Sequence, residues 1–218
     1  MTTLLIVCSG IVLLAGLLYF EKRKQLRGLL PAKTLLSVLF VICAAVQPHP
    51  GQVYFLFVFG GLLCCLAGDI LLALPQEKMF LFGLIAFLTG HVFYVVAFFD
   101  LAELNHWTII GTVITFGLSA GIYAWLRPHL GSMHVPVVLY IVVISCMLCG
   151  AWSVLGTKAV SLSGCALVFV GAVCFYVSDL FVARDRFLEE AFINRLLGLP
   201  LYYAGQFMIA LSVGTVIS

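Results

Sequence analysis

Between Val53 and Leu74 the chain carries a single charged residue, Asp69, in a stretch long enough to cross a bilayer. A hydrocarbon core takes about 20 mostly apolar residues of helix, and runs of this kind recur from one end of the sequence to the other. We read eight, at 2–20, 29–46, 53–74, 80–99, 107–126, 135–154, 162–182 and 198–217. The breaks carry loop chemistry: Pro48-His49-Pro50-Gly51, Pro75-Gln76-Glu77-Lys78, Arg127-Pro128-His129, and a charged stretch from Arg184 to Arg195. Backbone polar groups in lipid must be satisfied within the segment. The pattern therefore predicts an all-α polytopic membrane bundle of eight transmembrane helices, one membrane domain over residues 1–218.

Composition excludes the soluble classes. Hydrophobic residues make up 64% of the chain and charged ones 9%, against roughly 25% charged in a soluble domain. The net charge of +2 comes from basic residues scattered between spans, so no nucleic-acid partner is implied. The N-terminal run lacks a basic leader and is followed by Lys22, Arg23, Lys24 and Arg27, the pattern of a retained first span. The 8 cysteines all lie in apolar runs. Cys146 and Cys149 form a CxxC without a second pair or nearby histidine, so they read as packing residues.

Basic residues set a direction. Of the 11 Lys and Arg residues, all but Lys158 fall on one side of the eight-span arrangement. By the positive-inside rule that side is cytoplasmic and both termini face outward. The expected location is the cell (inner) membrane. The halves 1–104 and 105–218 read as two parallel four-helix repeats, because Gly68-Asp69-Ile70 aligns with Ser178-Asp179-Leu180, each near the inner end of the third helix of its half. Gly60, Gly61, Gly83, Gly90, Gly117, Gly121, Gly164 and Gly171 read as sites of close helix packing.

Asp69 and Asp179 stand out because a carboxyl within a bilayer helix costs on the order of 3 kcal/mol and marks function. At 1.5 Å per residue, Asp69 lies roughly 8 Å inside the inner boundary. Lys33, Tyr140, Tyr202, Tyr203 and Gln206 enter their spans from the same side, and His91 and Tyr94 sit deeper, one turn apart. Each has a structural alternative. Lys33 can snorkel, the tyrosines can form an interfacial belt, His91 can bond a backbone carbonyl, and either aspartate can be a structural acceptor. Their conjunction on several helices at similar depth points to one interior site. Arg184, Asp185, Arg186, Glu189 and Glu190 read instead as a solvated loop with i,i+4 pairs, able to attract lipid phosphate.

The ordered set Gly68-Asp69-Ile70-Leu71-Leu72, Phe80-x-x-Gly83-x-x-x-Phe87-x-x-x-His91-x-x-Tyr94, Gly171-x-x-x-Phe175-x-x-Ser178-Asp179 and Tyr202-Tyr203-x-x-Gln206 resembles the YhhN-type lysoplasmalogenase family along nearly the whole chain. One departure is Ala32-Lys33-Thr34, where the family often has a Lys-Pro pair. The resemblance implies an eight-helix membrane hydrolase that cleaves the vinyl ether bond of lysoplasmalogens, giving a fatty aldehyde and glycerophosphoethanolamine or glycerophosphocholine.

That chemistry needs a carboxylic acid to protonate the alkene carbon and a polar or negative partner for the resulting oxocarbenium ion, which water traps. Two carboxyls in contrasting environments divide such work between them. Asp69 and Asp179 are the expected catalytic pair, meeting across the repeat axis, with acid and base unassigned. Lys33, His91, Tyr94, Tyr140, Ser178, Tyr202, Tyr203 and Gln206 would orient them, the water or the substrate. The partners are a membrane lysophospholipid and water. No cofactor or metal is required, although one histidine with two aspartates is also a zinc-compatible set. The rival reading is a proton-coupled transporter of a small molecule or lipid, which would use the same buried carboxyls; a non-enzymatic membrane assembly factor is a third.

Overall fold

The structure is a computed structural model that describes residues 2–215. Among them it contains α-helices α1 (Thr2–Arg23), α2 (Leu26–Ala45), α3 (Gln52–Leu72), α4 (Glu77–Leu101), α5 (His106–Leu126), α6 (His134–Val154), α7 (Leu162–Phe187) and α8 (Phe192–Ser212), with two short 3-10 turns before α6 and no strand. The first seven are long and apolar enough to cross a membrane. α8 falls short on hydropathy because Asn194, Arg195, Tyr202, Tyr203 and Gln206 interrupt its apolar residues.

The bundle is built outside-in relative to a soluble protein. Val12 on α1, Ile109 and Val113 on α5, and Val135 on α6 are exposed. Lys33, Ser37, Asp69, His91, Ser119, Ser145, Ser178 and Gln206 are buried. Apolar residues pointing outward over this much surface, with polar ones within, are the arrangement of a multi-pass membrane protein.

Two hairpins are drawn especially close, α3 with α4 and α7 with α8. A Cβ on Gly205 of α8 would lie 2.8 Å from the Gly171 carbonyl oxygen of α7, and one on Gly90 of α4 would lie 3.1 Å from the Gly61 carbonyl oxygen of α3. Glycine thus brings backbone against backbone in both hairpins. Gly117 and Gly121 do not follow the expectation: nothing lies within 4 Å of a Cβ at either, because both face outward from α5.

The opposite ends are tied by caps. The Asn105 side-chain oxygen accepts from Trp107 N at 2.8 Å to cap α5, while its Nδ2 donates to the Ser153 carbonyl at 2.8 Å on α6. Ser161 caps α7 by accepting from Gly164 N at 3.1 Å, and its hydroxyl donates to the Thr215 carbonyl past the end of α8.

The stretch from Arg184 to Arg195 departs from its reading as a loop. α7 runs on through Phe187 and α8 already begins at Phe192. Charge does not break a helix that has left the apolar layer, and here side chains across the short link satisfy one another. Arg195 Nη2 pairs with Asp185 at 2.7 Å, and Asn194 Nδ2 donates to the Glu189 carbonyl at 2.8 Å. α2 likewise starts at Leu26, ahead of the expected edge, and carries Pro31 within its first turns.

Candidate functional site

Asp69 sits in a closed ring of donors. α2 presents Lys33 and Ser37 one turn apart on the same face, and α8 presents Tyr202. Lys33 Nζ lies 3.2 Å from Asp69 Oδ1. The Ser37 hydroxyl at 2.6 Å and the Tyr202 hydroxyl at 2.7 Å both approach Oδ2. Lys33 is buried and paired, so it does not snorkel. Tyr203 stands behind this ring, its hydroxyl 3.4 Å from Ser37 Oγ.

Asp179 on α7 has sparser company. Tyr140 of α6 donates to its Oδ2 at 2.7 Å. His91 Nε2 of α4 lies 3.8 Å from the same oxygen, beyond hydrogen-bond reach. The other ring nitrogen, His91 Nδ1, is 2.7 Å from the Phe87 carbonyl oxygen of its own helix. The two side chains also differ in access: 19% of Asp179 is open, against 2% of Asp69.

Both acids line one cavity of about 910 Å³, together with Lys33, Tyr140, Ser178 and Tyr202. Among the described residues no hydrogen bond joins the two carboxyls. The Phe175 ring stands between their partners, 5.2 Å from the Tyr202 ring and 4.5 Å from the His91 ring. His91, Tyr94, Tyr203 and Gln206 lie behind the cavity wall. Tyr94 donates to Gln206 Oε1 at 2.7 Å, while Gln206 Nε2 and His91 Nε2 are buried without partners. The Ser178 hydroxyl turns back to the Phe175 carbonyl at 2.7 Å, so it reaches neither acid.

The cavity opens at the end of the bundle bearing the turns α1–α2, α3–α4 and α7–α8, where Lys22, Lys24, Gln76, Glu77, Arg186 and Glu190 line it. Its deeper walls are largely apolar, with Leu84, Phe87, Ile141 and Ile144 among them. Arg195 clasps the rim, reaching Asp185 at 2.7 Å and Glu21 of α1 at 3.6 Å. Arg186 rests over the Phe80 ring at 4.5 Å.

Sequence reasoning missed Ser37 and Asn194. Ser37 carried a usable signal, since it lies four residues after Lys33 and shares its helix face. Asn194 is buried and joins α7 to α8, accepting from Arg184 at 3.0 Å; nothing in the local pattern set it apart from its charged neighbours.

The YhhN family model matches residues 29–213. The chain is 32% identical over 174 residues to a lysoplasmalogenase of Mycobacterium bovis, covering 77% of this chain and 63% of that protein. It is 33% identical over 162 residues to lysoplasmalogenase TMEM86A of Bos taurus, covering 71% of this chain and 64% of the relative. Against lysoplasmalogenase TMEM86B of Rattus norvegicus the identity is 32% over 181 residues, with 82% and 68% covered. The match thus spans less than two thirds of the length of the mycobacterial and bovine relatives. No solved structure matches.

Proposed function

The chain belongs to the YhhN family, and from that membership together with the carboxyl-lined cavity we propose that it is a lysoplasmalogenase. It hydrolyses the vinyl ether bond of a 1-alkenyl-glycerophosphoethanolamine or glycerophosphocholine to a fatty aldehyde and the glycerophospho-alcohol. One observation carries this reading: carboxyl groups from α3 and α7 face a single cavity whose deeper walls are apolar and whose mouth is charged. A volume of about 910 Å³ is at the upper end of ordinary ligand pockets and suits a single-chain lipid, with the alkenyl tail inward and the headgroup at the rim.

In this reading a carboxylic acid protonates the alkene carbon distal to the ether oxygen. The adjacent carbon becomes an oxocarbenium centre, water adds to it, and the hemiacetal collapses. A carboxylate nearby stabilises the cation electrostatically. Tyr140 and Tyr202 hold the two acids in place. Lys33 and Ser37 support Asp69, and His91, Tyr94, Tyr203 and Gln206 form the polar layer behind. Ser178 contributes cavity wall.

We also propose eight transmembrane helices, α8 being the eighth and stabilised by its buried polar face. Both termini face outward, the cavity mouth opens toward the cytoplasmic leaflet, and the protein resides in the cell (inner) membrane. The basic residues at the mouth support that direction. Halves α1–α4 and α5–α8 are two parallel repeats. The pairing of α3 with α4 resembles that of α7 with α8, and α1 with α2 that of α5 with α6, which supports the repeat, while α4 packs on α6 more extensively than α8 does on α2.

The test is product analysis by mass spectrometry after incubating purified protein with defined lysolipids, ether-linked against ester-linked. The expected result is aldehyde and glycerophospho-alcohol from the vinyl ether alone, with loss of turnover by orders of magnitude in Asp69→Asn and Asp179→Asn. Uptake of intact lipid into sealed vesicles without cleavage would favour the transporter reading.

A further inference from the structure

Hydrogen-bond donors are shared unequally between the two acids, and the inequality separates their roles. Asp69 has an ammonium on Oδ1, from Lys33 at 3.2 Å, and hydroxyls on Oδ2, from Tyr202 at 2.7 Å and from Ser37 at 2.6 Å. Ser37 lies closer to that oxygen than to its other acceptor, the Lys33 carbonyl oxygen at 3.0 Å. Three donors converging on both oxygens of one carboxyl, one of them a cation, describe a carboxylate. An uncompensated ammonium would otherwise be left in the protein interior.

Asp179 has one donor, the Tyr140 hydroxyl at 2.7 Å on Oδ2. Its other close polar neighbour is His91 Nε2 at 3.8 Å. A carbonyl only accepts, so His91 Nδ1, 2.7 Å from the Phe87 oxygen, carries the ring hydrogen. In the neutral ring Nε2 is then a lone pair, and it is buried without a partner. A carboxylate opposite that lone pair would set acceptor against acceptor. A carboxylic acid supplies the missing hydrogen once the 3.8 Å gap closes by a small side-chain movement. An imidazolium paired with a carboxylate requires a short, well-formed contact to offset burial, and this one is open.

We propose, resting on the vinyl ether hydrolase reading above, that Asp179 carries the proton delivered to substrate and that His91 is the positioning residue that keeps it there. Asp69 stays a carboxylate throughout turnover. In the first step the alkene π electrons take the Asp179 proton to form a C–H bond. An ether-oxygen lone pair moves into the C–O bond, leaving an oxocarbenium ion and the Asp179 carboxylate. Asp69, charged and fixed, stabilises that cation. Water then adds to the cationic carbon and surrenders a proton to Asp179, which restores the acid and gives a hemiacetal. Collapse breaks the bond to the glycerol oxygen, which takes a proton from Asp179 while the hemiacetal hydroxyl returns one. The sum is alkene ether plus water to aldehyde plus alcohol. Asp179 thus cycles, while Asp69, with both oxygens occupied by donors, acts by charge alone.

The test is infrared spectroscopy of the full chain reconstituted in lipid at neutral pH, which reads the carbonyl stretch of an un-ionised carboxylic acid independently of activity. We expect such a band in the parent protein, lost in Asp179→Asn, retained in Asp69→Asn, and shifted in Asp179→Glu, which keeps the carboxyl if the Asn variant does not fold. His91→Phe should displace the band, and His91→Gln, which restores an acceptor, should displace it less. A band that follows Asp69, or no band in the parent protein, overturns the assignment. Turnover measured on the same samples keeps the questions apart: a band that follows Asp179 in protein unable to cleave a lysoplasmalogen sinks the activity and leaves the proton's address standing.

Discussion

Tyr202 on α8 reaches across the bundle to donate its hydroxyl to Asp69 on α3 at 2.7 Å, joining residues 133 positions apart in the chain. Tyr202→Phe deletes that donor and little else. Loss of a hydrogen bond to a buried acceptor costs about 1–3 kcal/mol. The expected outcome is a lower unfolding midpoint in detergent and a fall in lysoplasmalogen turnover of about tenfold, read from kcat with KM largely kept.

Lys33→Met should be among the most damaging single changes. Removing one partner of a buried ion pair costs about 3–5 kcal/mol, because the other charge is left stranded. Adding Asp69→Asn to Lys33→Met should recover a large part of that stability without recovering turnover. Unfolding midpoints of the two single variants and the double variant give the coupling.

Glycine at the hairpin contact should be irreplaceable where backbone faces backbone. Gly205→Ala brings a methyl 2.8 Å from the Gly171 carbonyl oxygen and 3.1 Å from Phe175 N, atoms that cannot swing aside. Overpacking of this kind costs about 1–3 kcal/mol. Gly117→Ala meets nothing within 4 Å, and it should be neutral or stabilising by up to about 1 kcal/mol through helix propensity. Parallel thermal melts of the two variants check the contrast.

The rim ion pairs should rank by burial. Lys24 and Glu190 pair at 3.4 Å with side chains 85% and 75% exposed, so Glu190→Gln should change stability by less than about 1 kcal/mol. Arg195 holds Asp185 and also Glu21, whose side chain is 11% exposed. Arg195→Gln should lower the melting midpoint more than Glu190→Gln does, and high salt should narrow the difference between parent and Glu190→Gln.

Direction in the membrane can be read by labelling. In a cysteine-free background, single cysteines at Lys78 and Lys158 should react with an impermeant thiol reagent from opposite faces of sealed vesicles, with Lys78 reached from the cytoplasmic side. Labelling of both from one face would overturn the proposed eight spans.

Most of the framework was legible because lipid makes simple demands. Long uncharged runs had to be helices, and carboxyls inside them had to face inward, which is where Asp69 and Asp179 lie, on the cavity wall. The partners were harder to see. Ser37 shares a helix face with Lys33, but its role depends on Asp69 arriving from another helix. The stretch from Arg184 to Arg195 misled because charge marks departure from lipid, and departure from lipid is not the end of a helix. Tyr94 and Gln206 were expected at the cavity, yet they pair with each other behind its wall, a distinction that depth along a single helix does not contain.

The acids ride on different hairpins, Asp69 on α3 against α4 and Asp179 on α7 against α8, each locked by backbone contact at glycine. The two hairpins meet each other mainly where α3 touches α8, so the gap between the carboxyls is set largely through α2, which packs on α3 and α8, and α6, which packs on α4 and α7. Repacking α2 or α6 should therefore change the spacing of the acids without touching either one.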